Sequence, residues 1–208
     1  AGRIRHLGFS CHGTVDIIRR FMESPYGRHM EFCQLQLNYM DWHFQKCDEK
    51  AAYCREMGLP VFVMEPVRGG KICEAPDEMR EQLKKMRPDE SDIGWAFRFI
   101  QTIPDVVVTL TGASSLVQLQ QNISIWEEDK PLNEEEFSRL LELVDGETKK
   151  IGVPCTGCNY CASHCPQKLP IATLISAFNE HMSTKGKPSF FAPMLIGAMD
   201  ESKRPDQC

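Results

Sequence analysis

The sequence predicts an α/β fold of parallel strands covered by helices, with a small cysteine-rich appendage at the end. Three observations predict it. Runs with strand character alternate with runs of helical period from Ile4 to Glu128, and a parallel strand needs a crossover that a helix supplies. Polar residues gather just past the C-terminal end of each strand-like run: Ser10 and His12, Asn38 and Asp41, Glu65 and Arg68, Thr111 and Ser114. Beyond Gly152 the periodicity gives way to closely spaced cysteines.

Taken in order, residues 4–10 (IRHLGFS) read as a strand. TVDIIRRFMES follows as a helix, with Thr14 as its cap and Ile17, Ile18, Phe21 and Met22 at helical spacing. FCQLQLNY (32–39) is the second strand, and the helix behind it runs through AAYCREMG to a stop at Gly58. VFVMEP (61–66) is the third, followed by two helices, PDEMREQLKKM and SDIGWAFRFIQ. DVVVTLTG (105–112) is the fourth, and SLVQLQQNISIWEE its helix. NEEEFSRLLELVDG closes the α/β part. It has a capping box, Asn133 with Glu136, and an apolar face of Phe137, Leu140, Leu141 and Val144. Then come KKIGVP, the cysteine segment, the amphipathic LPIATLISAFNEHM and a Gly/Pro-spaced tail. These features place a domain boundary near Gly152, dividing 1–151 from 152–208.

Periodicity leaves two architectures open, an open doubly wound sheet and part of a (β/α)8 barrel. GFSCHG after the first strand is not the GxGxxG turn that would favour the open sheet, and both architectures carry their sites at strand C-terminal ends.

Composition removes several functions. A chain of 208 residues accommodates one ordinary domain and an appendage. It is 25% charged, and no apolar run approaches the roughly 18 residues a membrane helix needs. A net charge of -5 with scattered Lys and Arg argues against tracking a nucleic-acid backbone, so small molecules or proteins are the expected partners. AGRIRHLGFSCHG has neither a continuous apolar region nor a cleavage site, so a cytoplasmic protein is expected. The 10 cysteines fit that compartment, because those outside the terminal segment sit in apolar periodic stretches where a free thiol packs as a small hydrophobe. Cys47 and Cys54 are expected in the core on this ground.

Cys155, Cys158, Cys161 and Cys165 follow C-x2-C-x2-C-x3-C-P, the spacing of bacterial-type [4Fe-4S] ligation. Three thiolates at intervals of three can converge on one cubane. The fourth, after a longer step and before Pro166, is directed to another cluster. Four thiols this close together crowd a tetrahedral zinc ion, and a disulfide cluster is the weaker alternative. His164 is expected beside the thiolates, not among the ligands. The ending RPDQC resembles the start of a second cysteine motif with Cys208 as its first thiol, so that the first cluster lacks its remote fourth ligand and Cys165 lacks its partners. The expectation is three plus one, with the second site unfinished.

LGFSCHG, FCQLQLNYMD, GLPVFVMEPVRGGKI, GWAFRFI and VVVTLTGASSLVQLQQNI together resemble, in this order, the last four strand regions of an aldo/keto reductase barrel. CTGCNYCASHCPQKLPI resembles the subfamily with a C-terminal ferredoxin-like extension. The resemblance implies the C-terminal half of a (β/α)8 TIM barrel with a small α-helical ferredoxin-like extension. It further implies an oxidoreductase that reduces small carbonyl substrates with NADP or NAD, coupled to or stabilised by [4Fe-4S] clusters, with a redox partner protein as a possible further contact. The family's Asp, Tyr, Lys and His tetrad lies on the first four strands. None of it matches here, and His12 follows a strand of the fifth type, so the chain alone is expected to be inactive.

The cofactor positions that transfer are Ser10 and Gln34 at the nicotinamide carboxamide, with Cys11 in place of an asparagine, and Met64 where an aromatic ring often stacks. Pro66, Val67, Arg68, Gly69 and Gly70 fall along the pyrophosphate. Gly112, Ala113, Ser114, Ser115, Gln118, Gln121 and Asn122 fall at the adenosine end. Gln118 stands where the family has an arginine for the 2′-phosphate, which puts the preference between NADPH and NADH in doubt. A half barrel would expose two strand edges and self-associate. The alternative reading is a non-catalytic iron-sulfur electron-transfer or scaffold module.

Overall fold

The computed structural model describes residues 2–148, 153, 155, 157, 159–183 and 191–207. The chain divides into two compact units, Ala1–Asp145 and Gly146–Cys208.

Four short strands form the sheet of the first unit: β1 (Gly8–Cys11), β2 (Phe32–Gln36), β3 (Val61–Met64) and β4 (Val106–Thr109). They lie in the order β1-β2-β3-β4, and every neighbouring pair is parallel. Each is shorter than its apolar run. Ile4 and Leu7 stay exposed ahead of β1, and Asn38 and Tyr39 leave the ladder after β2. A strand lasts only as long as its neighbour supplies backbone partners, and the five residues of β2 are the longest partner available.

Alternation sets the two faces of the sheet. Cys33, Leu35, Val61 and Val63 point into the buried core with the helices. Ser10 pairs with Gln34, Gln34 with Phe62, and Gln36 with Met64, so these residues share the other face. There the Phe32 and Phe62 rings stack at 4.2 Å. Gly8 pairs with Phe32, and a Cβ at Gly8 would fall inside that ring, so the absence of a side chain lets the rings stack.

Six helices belong to this part of the chain: α1 (Val15–Met22), α2 (Cys47–Glu56), α3 (Asp77–Met86), α4 (Asp92–Thr102), α5 (Leu116–Glu127) and α6 (Glu134–Thr148). Thr14 stands at the N-cap of α1 but makes no side-chain cap bond. Ile18 is fully buried there, while Ile17, on the apolar face expected from spacing, is 48% exposed. Cys47 and Cys54 of α2 are fully buried, and Gly58 behind it has φ 65°, the left-handed turn that ends the helix.

Helix α4 is buried from Gly94 to Ile100, including Arg98. That arginine is tolerated because Glu90, Gln101, the Ile125 and Glu128 carbonyls and the Glu128 carboxylate all accept from it. The capping box forms as its spacing predicts: Glu136 N–H donates to Asn133 Oδ1, and Asn133 N–H donates to Glu136 Oε2, both at 2.9 Å. The division between the two compact units falls within α6, after Asp145. Its buried face, Leu140, Leu141 and Val144, ends just before Asp145, and the last turn adds nothing to the core.

The second unit holds α7 (Ile171–Ser183) and α8 (Phe191–Ala198), which pack together, and short 3-10 turns at Ala162–His164, Glu201–Lys203 and Pro205–Gln207. Asn179 ties α7 to the backbone of Val153 in both directions, at 2.8 and 2.6 Å. Among the described residues no helix is long and apolar enough to cross a membrane.

Candidate functional site

Strands β1, β2 and β3 bring Ser10, Gln34 and Met64 to one face of the sheet, because paired parallel residues point the same way. Gln34 Nε2 donates to Met64 Sδ at 3.4 Å, a soft contact that orients the amide. Ser10 is exposed. His12 is half-buried just beyond β1. Burial, and then the nearby Lys50 ammonium, hold its imidazole below the usual range against an opposing pull from Glu65, so at neutral pH the ring is neutral.

After β3 the chain enters a loop of unusual backbone. Glu65 and Arg68 have φ of 56° and 51°, and Gly69 and Gly70 follow at 63° and 91°. Two non-glycine residues in the left-handed region cost free energy unless surrounding contacts hold them. Those contacts come from beyond β2. Asp41 is fully buried, and its Oδ2 accepts from Gln36 Nε2 at 2.8 Å and Asn38 Nδ2 at 2.9 Å. Asn38 also donates to the Glu65 carbonyl at 3.0 Å, and its own Oδ1 accepts from Asp41 N–H. Arg68 Nη2 lies 3.3 Å from Asp41 Oδ1 as an ion pair, while its guanidinium covers the Phe44 ring at 5.6 Å. Sequence reasoning marks Asn38 and Asp41 only as polar residues past a strand and does not mark Gln36. The N-x-x-D spacing after an alternating strand is the signal that could have found the network.

After β4, Gly112, Ala113 and Ser114 lead into α5. Ser115 caps the helix, accepting from Gln118 N–H. Gln118 folds back so that its Oε1 accepts from Ser114 N–H at 2.9 Å, and Asn122 donates to Thr111 Oγ1 at 2.9 Å. Gln121 is exposed. A cavity of about 300 Å³ lies beside this corner, bounded by Thr111 and Asn122 and floored by Phe97, Leu119, Ile123 and Trp126. No residue of α5 is fully buried, and its Leu119, Ile123 and Trp126 border this open space.

In the second unit Cys155 and Cys165 are half-buried and Cys161 is exposed. Gly157 N–H donates to Cys155 Sγ and Leu169 N–H to Cys165 Sγ, both at 3.4 Å, as backbone amides do around thiolates. Gly157, Asn159 and Lys168 have φ of 77°, 61° and 53°, the turns that aim those amides. Among the described residues no group of three or more His, Cys, Asp or Glu is gathered as a metal site. Cys158 and Cys208 lie outside the described residues.

The family model described as Aldo/keto reductase family matches residues 1–145. Solved structures share the fold. An aldo-keto reductase from Bacillus halodurans in its holo form is 23% identical with a TM-score of 0.54, over 68% of this chain and 51% of that one. An aldo/keto reductase from Klebsiella pneumoniae in complex with NADP and acetate is 19% identical with a TM-score of 0.56, over 69% of this chain and 49% of that one. Another structure from Klebsiella pneumoniae, in complex with NADPH, is 18% identical with a TM-score of 0.54, over 69% and 49%. The chain spans about half the length of these proteins. A comparison with curated proteins found no match. The parallel sheet with its covering helices is therefore that of part of a TIM barrel, and the matched residues include the loops after all four strands: the chain belongs to the aldo/keto reductase family.

Proposed function

We propose that the whole protein is a cytoplasmic NAD(P)H-dependent oxidoreductase acting on small carbonyl substrates, with this chain contributing the cofactor side of the site. The observation that carries this reading is the alignment of Ser10, Gln34 and Met64 on one face, with the loop of Pro66, Arg68 and Gly69 following Met64 along the chain. Ser10 and the Gln34 amide offer the donor and acceptor a nicotinamide carboxamide needs, and the Met64 thioether offers a soft apolar surface to its ring. The loop, with two glycines and no Cβ in the way, lets backbone approach a pyrophosphate. Gly112, Ala113, Ser114, Gln118, Gln121 and Asn122 border the adenosine end, where the apolar cavity beside Thr111 suits a purine. The bound dinucleotide would supply the hydride. The residues of this chain hold and orient it and contain no tetrad, so the chain alone is inactive. Titration with NADH and NADPH, read by ligand fluorescence, tests the site. Binding of either cofactor that Gln34→Ala weakens supports it, and no binding of either rejects it.

The second unit is read as a ferredoxin-like extension in which Cys155, Cys158 and Cys161 hold a [4Fe-4S] cluster, while Cys165 and Cys208 serve a second. Support comes from the ligand spacing and from the two amide-to-sulfur bonds, which favour a charged thiolate. Such a cluster would exchange single electrons with a redox partner protein or only stabilise the fold. Anaerobic reconstitution with iron and sulfide, followed by metal analysis, tests it; zinc without sulfide rejects it. The exposed Val107, Leu116 and Val117 beside the unpaired edge of β4 support self-association of this chain in isolation. A monodisperse monomer in light scattering would refute that.

A further inference from the structure

We infer that Asp41 and Arg68 form a clasp that sets the shape of the 65–70 loop, so that Arg68 serves the dinucleotide through the loop backbone and not as a phosphate partner. This rests, for its functional half, on the nicotinamide reading above. Arg68 looks like a phosphate ligand by position and charge, but its charge is already committed. Its guanidinium is packed between the buried Asp41 carboxylate and the Phe44 ring, and its side chain is only 13% exposed.

The carboxylate in turn needs the arginine. Gln36 and Asn38 both donate to Oδ2, and buried Oδ1 has no hydrogen-bond donor, so the ion pair is what compensates it. Releasing Arg68 toward a phosphate would leave a buried carboxylate half satisfied. It would also free two left-handed residues, Glu65 and Arg68 itself, whose backbone is held by this network and by the Asn38 bond to the Glu65 carbonyl. Asp41 is thus a positioning residue. It lies fully buried beyond β2, yet fixes a loop that follows β3.

The test compares the wild-type chain with Asp41→Asn, Arg68→Gln and the double variant by hydrogen exchange at the backbone amides of residues 65–72. Each single variant is expected to speed exchange there about tenfold, and the double variant no further, as two ends of one interaction require. Unchanged exchange, or effects that add, overturns the clasp. Where a single variant strands one charge and does not fold, the double variant, which removes both, still reports on the loop. In the second arm, NADH and NADPH are titrated at several salt concentrations. Both single variants are expected to weaken binding about tenfold without changing its salt dependence, because no guanidinium–phosphate pair is lost. A reduced salt dependence for Arg68→Gln, with tighter binding by Asp41→Asn, overturns the inference. Should the wild type bind neither dinucleotide, the nicotinamide reading fails by itself and the exchange result alone judges the clasp.

Discussion

In the first unit the buried side chains include Trp95, Phe97, Phe99, Tyr39, Leu35 and Ile100, with Phe99 touching Tyr39, Trp42 and Phe137. In the second, the buried apolar residues among those described are Leu169, Ala172, Ala177 and Ala192. An alanine removes little apolar surface from water, and larger side chains such as Phe178, Met182 and Met194 stay about half exposed. The described residues of this small unit therefore bury little apolar surface, and natural domains of that size often add disulfides or bound metal. The difference teaches that the cysteine segment is where the second unit's stability has to be sought.

On the cluster proposed above for the second unit, removing the metal gives the largest expected effect. With iron chelated anaerobically, or with Cys161→Ser, the amides of α7 should lose protection from hydrogen exchange entirely, while unfolding of the first unit is unchanged. An α7 equally protected with and without iron would erase the contrast. Next comes Phe99→Ala, which removes the ring at the centre of the first core and should cost about 3–5 kcal/mol in denaturant unfolding. A loss below about 1 kcal/mol would show that core to be looser than its burial implies.

Smaller again is the Arg87–Glu136 contact, in which Arg87 Nη2 and Nε donate to the two carboxylate oxygens at 2.6 and 2.7 Å. The hydrogen bonds from Arg87 hold the Glu136 carboxyl below its usual value of 4.5. The stability it contributes is therefore fully present above the ordinary glutamate pKa and is lost as pH falls through the lowered one. Arg87→Met should cost about 1.5 kcal/mol at neutral pH, near the low end for a charged hydrogen bond at a solvated rim, and should flatten the acid limb of the stability curve. An unaltered acid limb would exclude the pair as its source. Asn133→Ala, which removes half of the capping box, should cost about 1 kcal/mol and shorten α6 at its start. It sharpens the comparison, because α6 carries Leu140, Leu141 and Val144 into the hydrophobic core of the first unit.

Local chemistry made much of this molecule legible in the sequence. The βα alternation announces a parallel sheet because strand and helix periods differ, and all four strands occur where their β-branched and apolar runs lie. The capping box at Asn133 and the stop at Gly58 depend on a few adjacent residues, so spacing alone reveals them. Strand ends were less legible, since the ladder stops where a neighbouring strand stops and not where the apolar run does. Ile17 shows the same limit: helical spacing puts it on an apolar face, but the packing of α1 buries Ile18 and leaves Ile17 in solvent.

By itself, then, the sequence determined the fold class, the family, the order of the elements and the residue types that collect at strand ends, because each follows from short-range pattern. Only the tertiary structure decided that Gln36, Asn38 and Asp41 reach across to Glu65 and Arg68, and that the arginine's charge is taken up before any ligand arrives. Such choices depend on which side chains a parallel ladder places side by side and on the cost of burying a carboxylate without a partner, and neither can be read along a single strand.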